Sequence, residues 1–467
     1  MTKRTIVCLM FTSLAAAALT GCSSFNGKEI RQEHAGNYPR QLAEKTRDVL
    51  AEYQPLDLND CIRISMENSL SVKSAEIQQR LAQLEKKVSF ANFLPAVSLN
   101  YQKTWWDPQP QVKFGSSGFP MHDKDVRDVT WNIQLSIFNP ATWFMYSMHT
   151  RGYEIAELVA DYTRQAIALQ VTAQYFQCLS LEQMVTVLES QLAAARAMEK
   201  ELAAFQQEGM VSTWQAEQGR VLVLARKTEL RRIRKSLGQA KAELLAGMGL
   251  NPTGDVKLEI QMPLESPGDS LEFLIMEALL NHPSLAISDR QVAIEKEKLK
   301  AAVTAFLPQL MGFANRVDTS DSHQVFTNYW VGGLSAAITL FDGFANVNYY
   351  QAAGELQKEA VIRREQATLT LMLQVIRAYD QVRLAQDQIE LARQIHRTTA
   401  GHLAEVQQQY EQGLIQASDM LAMTAEADQA EIQYLLARFQ NQTSIAMLTN
   451  VMGKTQTVFQ ESTHEAK

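Results

Sequence analysis

Side chains able to do covalent, acid–base or metal chemistry are few in this chain and scattered. Its four cysteines are Cys8, Cys22, Cys61 and Cys178. They make no disulfide framework, and spacing alone does not decide whether Cys61 and Cys178 pair. His282, next to Pro283, has no His or Cys near it at ligand spacing and reads as a turn residue. No Gly-rich phosphate loop, Ser/His/Asp set or metal cluster stands out, and carboxylate pairs fall on charged helical patterns where they are expected. The expectation is therefore no enzyme, no cofactor and no metal. Arg226, Lys227, Arg231, Arg232, Arg234 and Lys235 form a basic cluster, but it flanks an apolar seam. A solvated helix face paired with Glu182 and Glu189 explains it better than nucleic-acid binding.

One cysteine does have a context. Lys3 and Arg4 precede a short apolar core, Ile6 to Leu19, which ends in Leu19-Thr20-Gly21-Cys22. The first 21 residues read as an export signal, too short to span a bilayer as a helix. The last four resemble the lipobox of bacterial lipoproteins, which implies lipid attachment at Cys22. In that class Ser23-Ser24, rather than an Asp, implies sorting to the outer membrane. Loss of Lys3 and Arg4 with the signal takes the formal net charge from -7 to -9. A mildly acidic chain is no general nucleic-acid binder. No later apolar run reaches the length of a spanning helix.

The remaining chemistry depends on position, so the elements come next. Two strand hairpins are predicted, at 96–138 and 309–341, each entered through the same triplet: Phe93-Leu94-Pro95 and Phe306-Leu307-Pro308. The exit Leu135 to Pro140 is echoed by Ile338 to Gly343. The chain is an internal repeat of about two hundred residues. Val97, Leu99 and Tyr101, then Val129, Trp131, Ile133, Leu135 and Ile137, alternate with polar residues, so each strand has one dry face. Trp330, Leu334 and Ala336 repeat the pattern, whereas Gly312 and Asn315 dilute the strand from Gln309 to Val317. Five of six tryptophans, Trp105, Trp106, Trp131, Trp143 and Trp330, lie in or beside the strands. Such aromatic belts favour short transmembrane strands over a soluble sandwich, which the alternation also suits.

Helical patterns flank both hairpins. Organisation is expected to begin at Leu56, with Asp60 capping a helix that breaks at Asn68-Ser69-Leu70; the second copy breaks at Asn281-His282-Pro283. From Pro140 to about Glu208 one helix of on the order of 100 Å is predicted. Its seam of Leu181, Val185, Leu188, Leu192, Ala195 and Leu202, with a lapse at Glu199, faces Leu230, Ile233, Leu237, Ala240 and Leu244 on a return helix. This is an antiparallel coiled-coil hairpin turning at Gly209-Met210-Val211. The second runs from about Phe344, turns at Gly413-Leu414-Ile415 and returns through Leu421, Ala425, Ile432, Leu435 and Phe439. The organisation is thus signal 1–21, lipidated tether 22–55, repeat 56–250, linker 251–269, repeat 270–453 and polar tail 454–467.

Four strands cannot close a barrel in lipid, so membrane strands would require several copies of the chain. At this point the lipobox, the doubled helix–strand–strand–helix unit, the Phe-Leu-Pro entries and the Gly-Leu-Ile turn together resemble the TolC-type outer-membrane efflux family, in its lipoprotein branch. The resemblance spans nearly the whole mature chain. It implies a mostly α fold with a small β part. Three chains would build a 12-stranded outer-membrane barrel, four strands each, continued by a long periplasmic α-helical coiled-coil tunnel. It implies a passive exit duct in a tripartite efflux or secretion system, lipid-anchored in the outer membrane, whose partners are a periplasmic adaptor and an inner-membrane pump. Adaptor docking falls on Gly209, Met210, Val211, Gly413, Leu414 and Ile415, with Trp214 near by. The tunnel constriction falls on Asp419, whose first-copy counterpart, Gln215, is neutral; the family's second aspartate position is Ala422 here. A periplasmic coiled-coil scaffold or adaptor lipoprotein is the competing reading, since it would share the helices without needing lipid-facing strands.

Overall fold

The computed structural model describes residues 26–115, 117–261 and 264–454. The segment expected to be an export signal, Cys22 and the residues from 455 onward lie outside the described residues.

Helical organisation begins earlier than Leu56. Helix α1 runs from Gly27 to Tyr53, started by Asn26, whose side chain accepts from the Glu29 amide. Its Glu, Gln, Lys, Arg and Ala residues favour helix by propensity, and only Thr46 and Leu50 are buried. The segment read as a tether is thus a helix docked by its last turns. Helix α2, Leu58–Asn68, is capped by Asp57 rather than Asp60: the Asp57 carboxylate accepts from the Asp60 amide. The cap belongs to the residue just before the first helical one, because that is where a side chain reaches the orphan amides. After Ser69, α3 (Leu70–Ala91) leads to the strands.

Strands β1 (Ala96–Trp105) and β4 (Asp125–Phe138) form the first hairpin, with a small accessory ribbon, β2 (Gln111–Phe114) and β3 (Ser117–Pro120), in its loop. Helix α4, Pro140–Gln207, is 68 residues long, or about 100 Å. It returns as α5, Thr213–Gly247. The second repeat gives α6 (Leu271–Asn281), α7 (Pro283–Val303), a 3-10 turn at Thr304–Phe306, β5 (Gln309–Thr319), β6 (Asn328–Ala337), α8 (Ala345–Glu411) and α9 (Ala417–Val451).

The four long strands make one antiparallel sheet in the order β1-β4-β5-β6. Directly below, α3 packs on α4, α4 on α7 and α7 on α8. Each strand therefore continues into one helix of a layer with the same order. The diluted strand β5 is interior, paired on both sides. Its Gly312 leaves space that Ile137 and Leu334 fill, since a Cβ there would come within 3.0 Å of Ile137. On the other face the Phe313 ring lies over Gly333, 3.1 Å from where its Cβ would be. Large residues of one strand thus cover the glycines of the next, a cross-strand compensation that a single strand's pattern does not display.

The second strand exit differs from the first. Asn139 and Pro140 start α4 directly, with Pro at the first helical position. Strand β6 instead stops at Ala337, short of the expected 341, and the chain turns through Gly343 and Phe344 at φ 70 and 66.

Two cores sit where the helices crowd at mid-height. In the first, Leu56, Leu58, Cys61 and Ile64 pack with Val171, Tyr175, Phe176, Leu179, Leu244 and Met248. In the second, Leu274, Leu285, Leu371, Val375, Val382, Leu448 and Met452 do the same work. Cys61 and Cys178 are free and buried, and burial pushes the Cys178 thiol up to about 12. The linker is tied in by a short parallel bridge of Leu56 with Leu258. Each repeat closes on a left-handed glycine seated on the break of its own first helix pair. A Cβ on Gly249 would lie 2.4 Å from the Asn68 carbonyl, and one on Gly453 would lie 2.9 Å from that of Asn281.

Candidate functional site: wall, tips and outer mouth

The register puts the dry residues of all four strands on one face. Val97 pairs with Ile133, Leu99 with Trp131 and Tyr101 with Val129. The same face continues as Leu310, Gly312 and Ala314 on β5 and as Leu334 and Ala336 on β6. It carries charge at Arg316, which lies in register between Trp131 and Trp330 and pairs at 3.6 Å with Asp318 on the same face. Ser98, Asn100, Thr130, Asn132, Gln134 and Asn315 occupy the other face. At the strand–helix junctions aromatic rings cluster: Phe138 on Trp143, Phe90 and Phe93 on Tyr146, and Phe341 on Phe344. That is a belt at one level, below strands about 34 Å long. Among the described residues no helix is long and apolar enough to cross a membrane.

Both edges of the sheet, β1 and β6, are unpaired within the chain. The helices below them also have exposed apolar sides. Leu81, Leu84 and Val88 line a groove with Met145 and Val159 at one edge. Leu391 and Ile395 line another with Leu436 at the other. Apolar grooves on both flanks of a curved wall require covering by a neighbour.

At the far end the coiled-coil hairpins turn in the same way. The Met210 amide donates to the Phe205 carbonyl and the Leu414 amide to the Gln409 carbonyl, each at 2.9 Å, after Gly209 and Gly413 at φ 73 and 72. Both are Schellman closures, which need a left-handed residue at that point. They leave Met210 and Leu414 each 69 % exposed, while Val211 and Ile415 are half-buried and Trp214 is exposed. Asp419 is exposed at the third helical position of α9. Gln215 holds the same position in α5, but its side chain accepts from the Ser212 amide at 2.9 Å, closing a capping box. It therefore serves as a helix cap.

The seams fit the expected pattern with two differences. At Glu199 the lapse is matched by Gly219 on α5, where a Cβ would lie 3.1 Å from Leu202 and 3.5 Å from the Glu199 backbone. On α9 the buried positions include Met423, Ala427, Ala430 and Phe439, and Ala425 is exposed, because this helix faces α8 and α4 on different sides. In the basic cluster Arg234 pairs with Glu189 at 2.6 Å as expected, whereas Glu182 pairs with Lys241 at 2.7 Å. Arg226 reaches across to the second repeat and meets Asp428 at 2.8 Å, both nearly buried. His282 caps α7 by accepting from the Ser284 amide, and burial lowers its pKa.

One constellation is invisible to sequence spacing. Two loops above the strands, nearly two hundred residues apart, bring His122 and Asp123 against Asp321 and His323. Asp321 is fully buried there. Burial raises its pKa, but hydrogen bonds from His122 and from the Asp123 and His323 amides pull it down to about 2.

Comparison with known proteins agrees with this architecture. Residues 274–454, almost all of the second repeat, match the family described as Outer membrane efflux protein. The fold of the whole chain is that of solved outer-membrane channels. The outer membrane protein VceC of Vibrio cholerae superposes with a TM-score of 0.73 at 16% identity, covering 85% of this chain and 96% of that one. A membrane protein from Pseudomonas aeruginosa gives 0.74 at 14%, covering 85% and 93%. The MtrE outer membrane channel of Neisseria gonorrhoeae gives 0.71 at 15%, covering 85% and 88%. No curated protein matches the sequence.

Proposed function

We propose that this protein is the outer-membrane exit duct of a tripartite efflux or secretion system, working as a homotrimer. The observation that carries the reading is the shared order of four strands and four helices with both edges open. A polar lumen face and an apolar outer face need a closed barrel in lipid, and four strands are too few to close one. Three copies joined β1 to β6 give twelve strands, with the helices continuing the wall into the periplasm.

Within that reading, three sites are proposed. Cys22 carries lipid in the outer membrane. The exposed apolar turns at Gly209, Met210 and Val211 and at Gly413, Leu414 and Ile415 dock a periplasmic adaptor, which links the duct to an inner-membrane pump. Asp419, three per trimer, forms a carboxylate ring that favours cations at the narrow end. The duct itself is passive and has no enzymatic step.

The test is reconstitution. Protein extracted in detergent should elute as a trimer and open discrete conductances in a planar bilayer. Extraction without detergent as a stable monomer would instead establish the scaffold reading.

A further inference from the structure

We infer that the outer mouth carries a divalent metal site for zinc, held by His323, Asp123 and Asp321 and joining the loops of the two hairpins. The His323 Nδ1 lies 3.4 Å from Asp123 Oδ1 and 3.3 Å from Asp321 Oδ1. These contacts are too long for charge-assisted hydrogen bonds, which close to about 2.7–2.9 Å. They do equal the edge of a tetrahedron whose centre holds zinc with ligands at about 2.0–2.1 Å, an edge of about 3.3 Å. The three ligand atoms all lie within 4.8 Å of one another. One nitrogen facing two carboxylate oxygens at that separation has the spacing that the ligands of a divalent cation take.

The surroundings are built to hold those carboxylates in place. Asp321, with no solvent exposure, turns its second oxygen to His122 Nδ1 at 2.7 Å. The Asp123 and His323 amides donate to its first oxygen at 3.0 and 3.2 Å. Asp123 is fixed by the Ser322 amide at 2.6 Å and the Ser322 hydroxyl at 2.9 Å. The His122 ring stacks on Trp106, with centroids 5.7 Å apart. This is the outer shell that orients metal ligands: a carboxylate held by an imidazole and by backbone donors. His323 is on the exposed side, leaving the fourth position to water.

A zinc ion here crosslinks the first-hairpin loop to the second above β4 and β5. Binding is a property of the folded loops and does not depend on the duct reading, so a failure here leaves the conductance test intact. The experiment uses the full-length protein in detergent, stripped with chelator and titrated with zinc chloride by calorimetry. Trp106 emission is followed in parallel. One zinc per chain is expected, with His323→Ala and Asp123→Asn each weakening affinity at least tenfold. His402→Ala, on an exposed helical face, should leave it unchanged. Trimer elution and helical circular dichroism check each variant, and His323→Gln replaces any that fails. The inference is overturned by absence of saturable zinc binding, by equal loss in His402→Ala, or by calcium saturating the same site equally well.

Discussion

Replacing Asp428 by Asn should stabilise the junction between the two coiled coils at neutral pH. Arg226 and Asp428 lie at 2.8 Å, with side chains 18 % and 13 % exposed, and form the ion pair joining α5 to α9. Burial is the largest influence on Asp428; Arg226 opposes it, Glu431 reinforces it, and the carboxyl ends at about 6 instead of its ordinary 3.8. The folded state therefore binds the proton more tightly than the unfolded chain does. Its stability rises as pH falls through about 6 towards 4 and is reduced above 6, where the buried group must ionise. The displacement corresponds to roughly 3 kcal/mol favouring a neutral side chain at pH 7.5. Asn supplies that neutral side chain with the same shape.

Hydrogen–deuterium exchange of peptides covering 216–236 and 417–437 reads this locally. At pH 7.5 the Asp428→Asn protein should exchange more slowly there, by up to about two decades. By pH 5 the difference from the parent should shrink to about one decade, and by pH 4 to about half a decade or less. Comparing the two proteins at equal pH cancels intrinsic exchange. An ordinary stabilising ion pair gives the opposite sign, since removing one partner of a buried pair costs about 3–5 kcal/mol. Faster exchange in the variant at pH 7.5 would falsify the desolvation reading.

Gly249→Ala should lower trimer yield and thermal midpoint sharply, since the new Cβ meets the Asn68 carbonyl at 2.4 Å and the residue sits at φ 71. The left-handed backbone alone costs about 1–2 kcal/mol. Gly453→Ala, with its nearest contact at 2.9 Å, should be milder, and a reversed ranking would count against this account. Asp419→Ala should raise or alter single-channel conductance and weaken cation preference; identical selectivity in a planar bilayer removes the proposed ring. Cys22→Ser should abolish labelling by radioactive palmitate while channel activity persists, because the strands hold the barrel in the membrane.

Much of this fold was legible because its signals are local. The alternation of Val129, Trp131, Ile133 and Leu135 has period two whatever surrounds it. The repeat shows in Phe-Leu-Pro, and the glycines at 209 and 413 announce turns through a conformation that disfavours other residues. Errors arose where partners decide. Asp60 looked like a cap, but the chain begins its helix one residue after Asp57.

The sequence by itself determined the doubled plan, the dry face of each hairpin and the long helices with their turns. These follow from periodicity and backbone preference, which neighbouring residues express together. Only the tertiary structure decided that diluted β5 is an interior strand, because its Gly312 is covered by Ile137 and Leu334 from the adjacent strands. It alone paired Arg226 with Asp428 across the repeats, and it alone gathered His122, Asp123, Asp321 and His323 at the mouth. Contacts between residues some two hundred positions apart leave no periodic trace, since nothing in the intervening chain records which loops the sheet register will bring together.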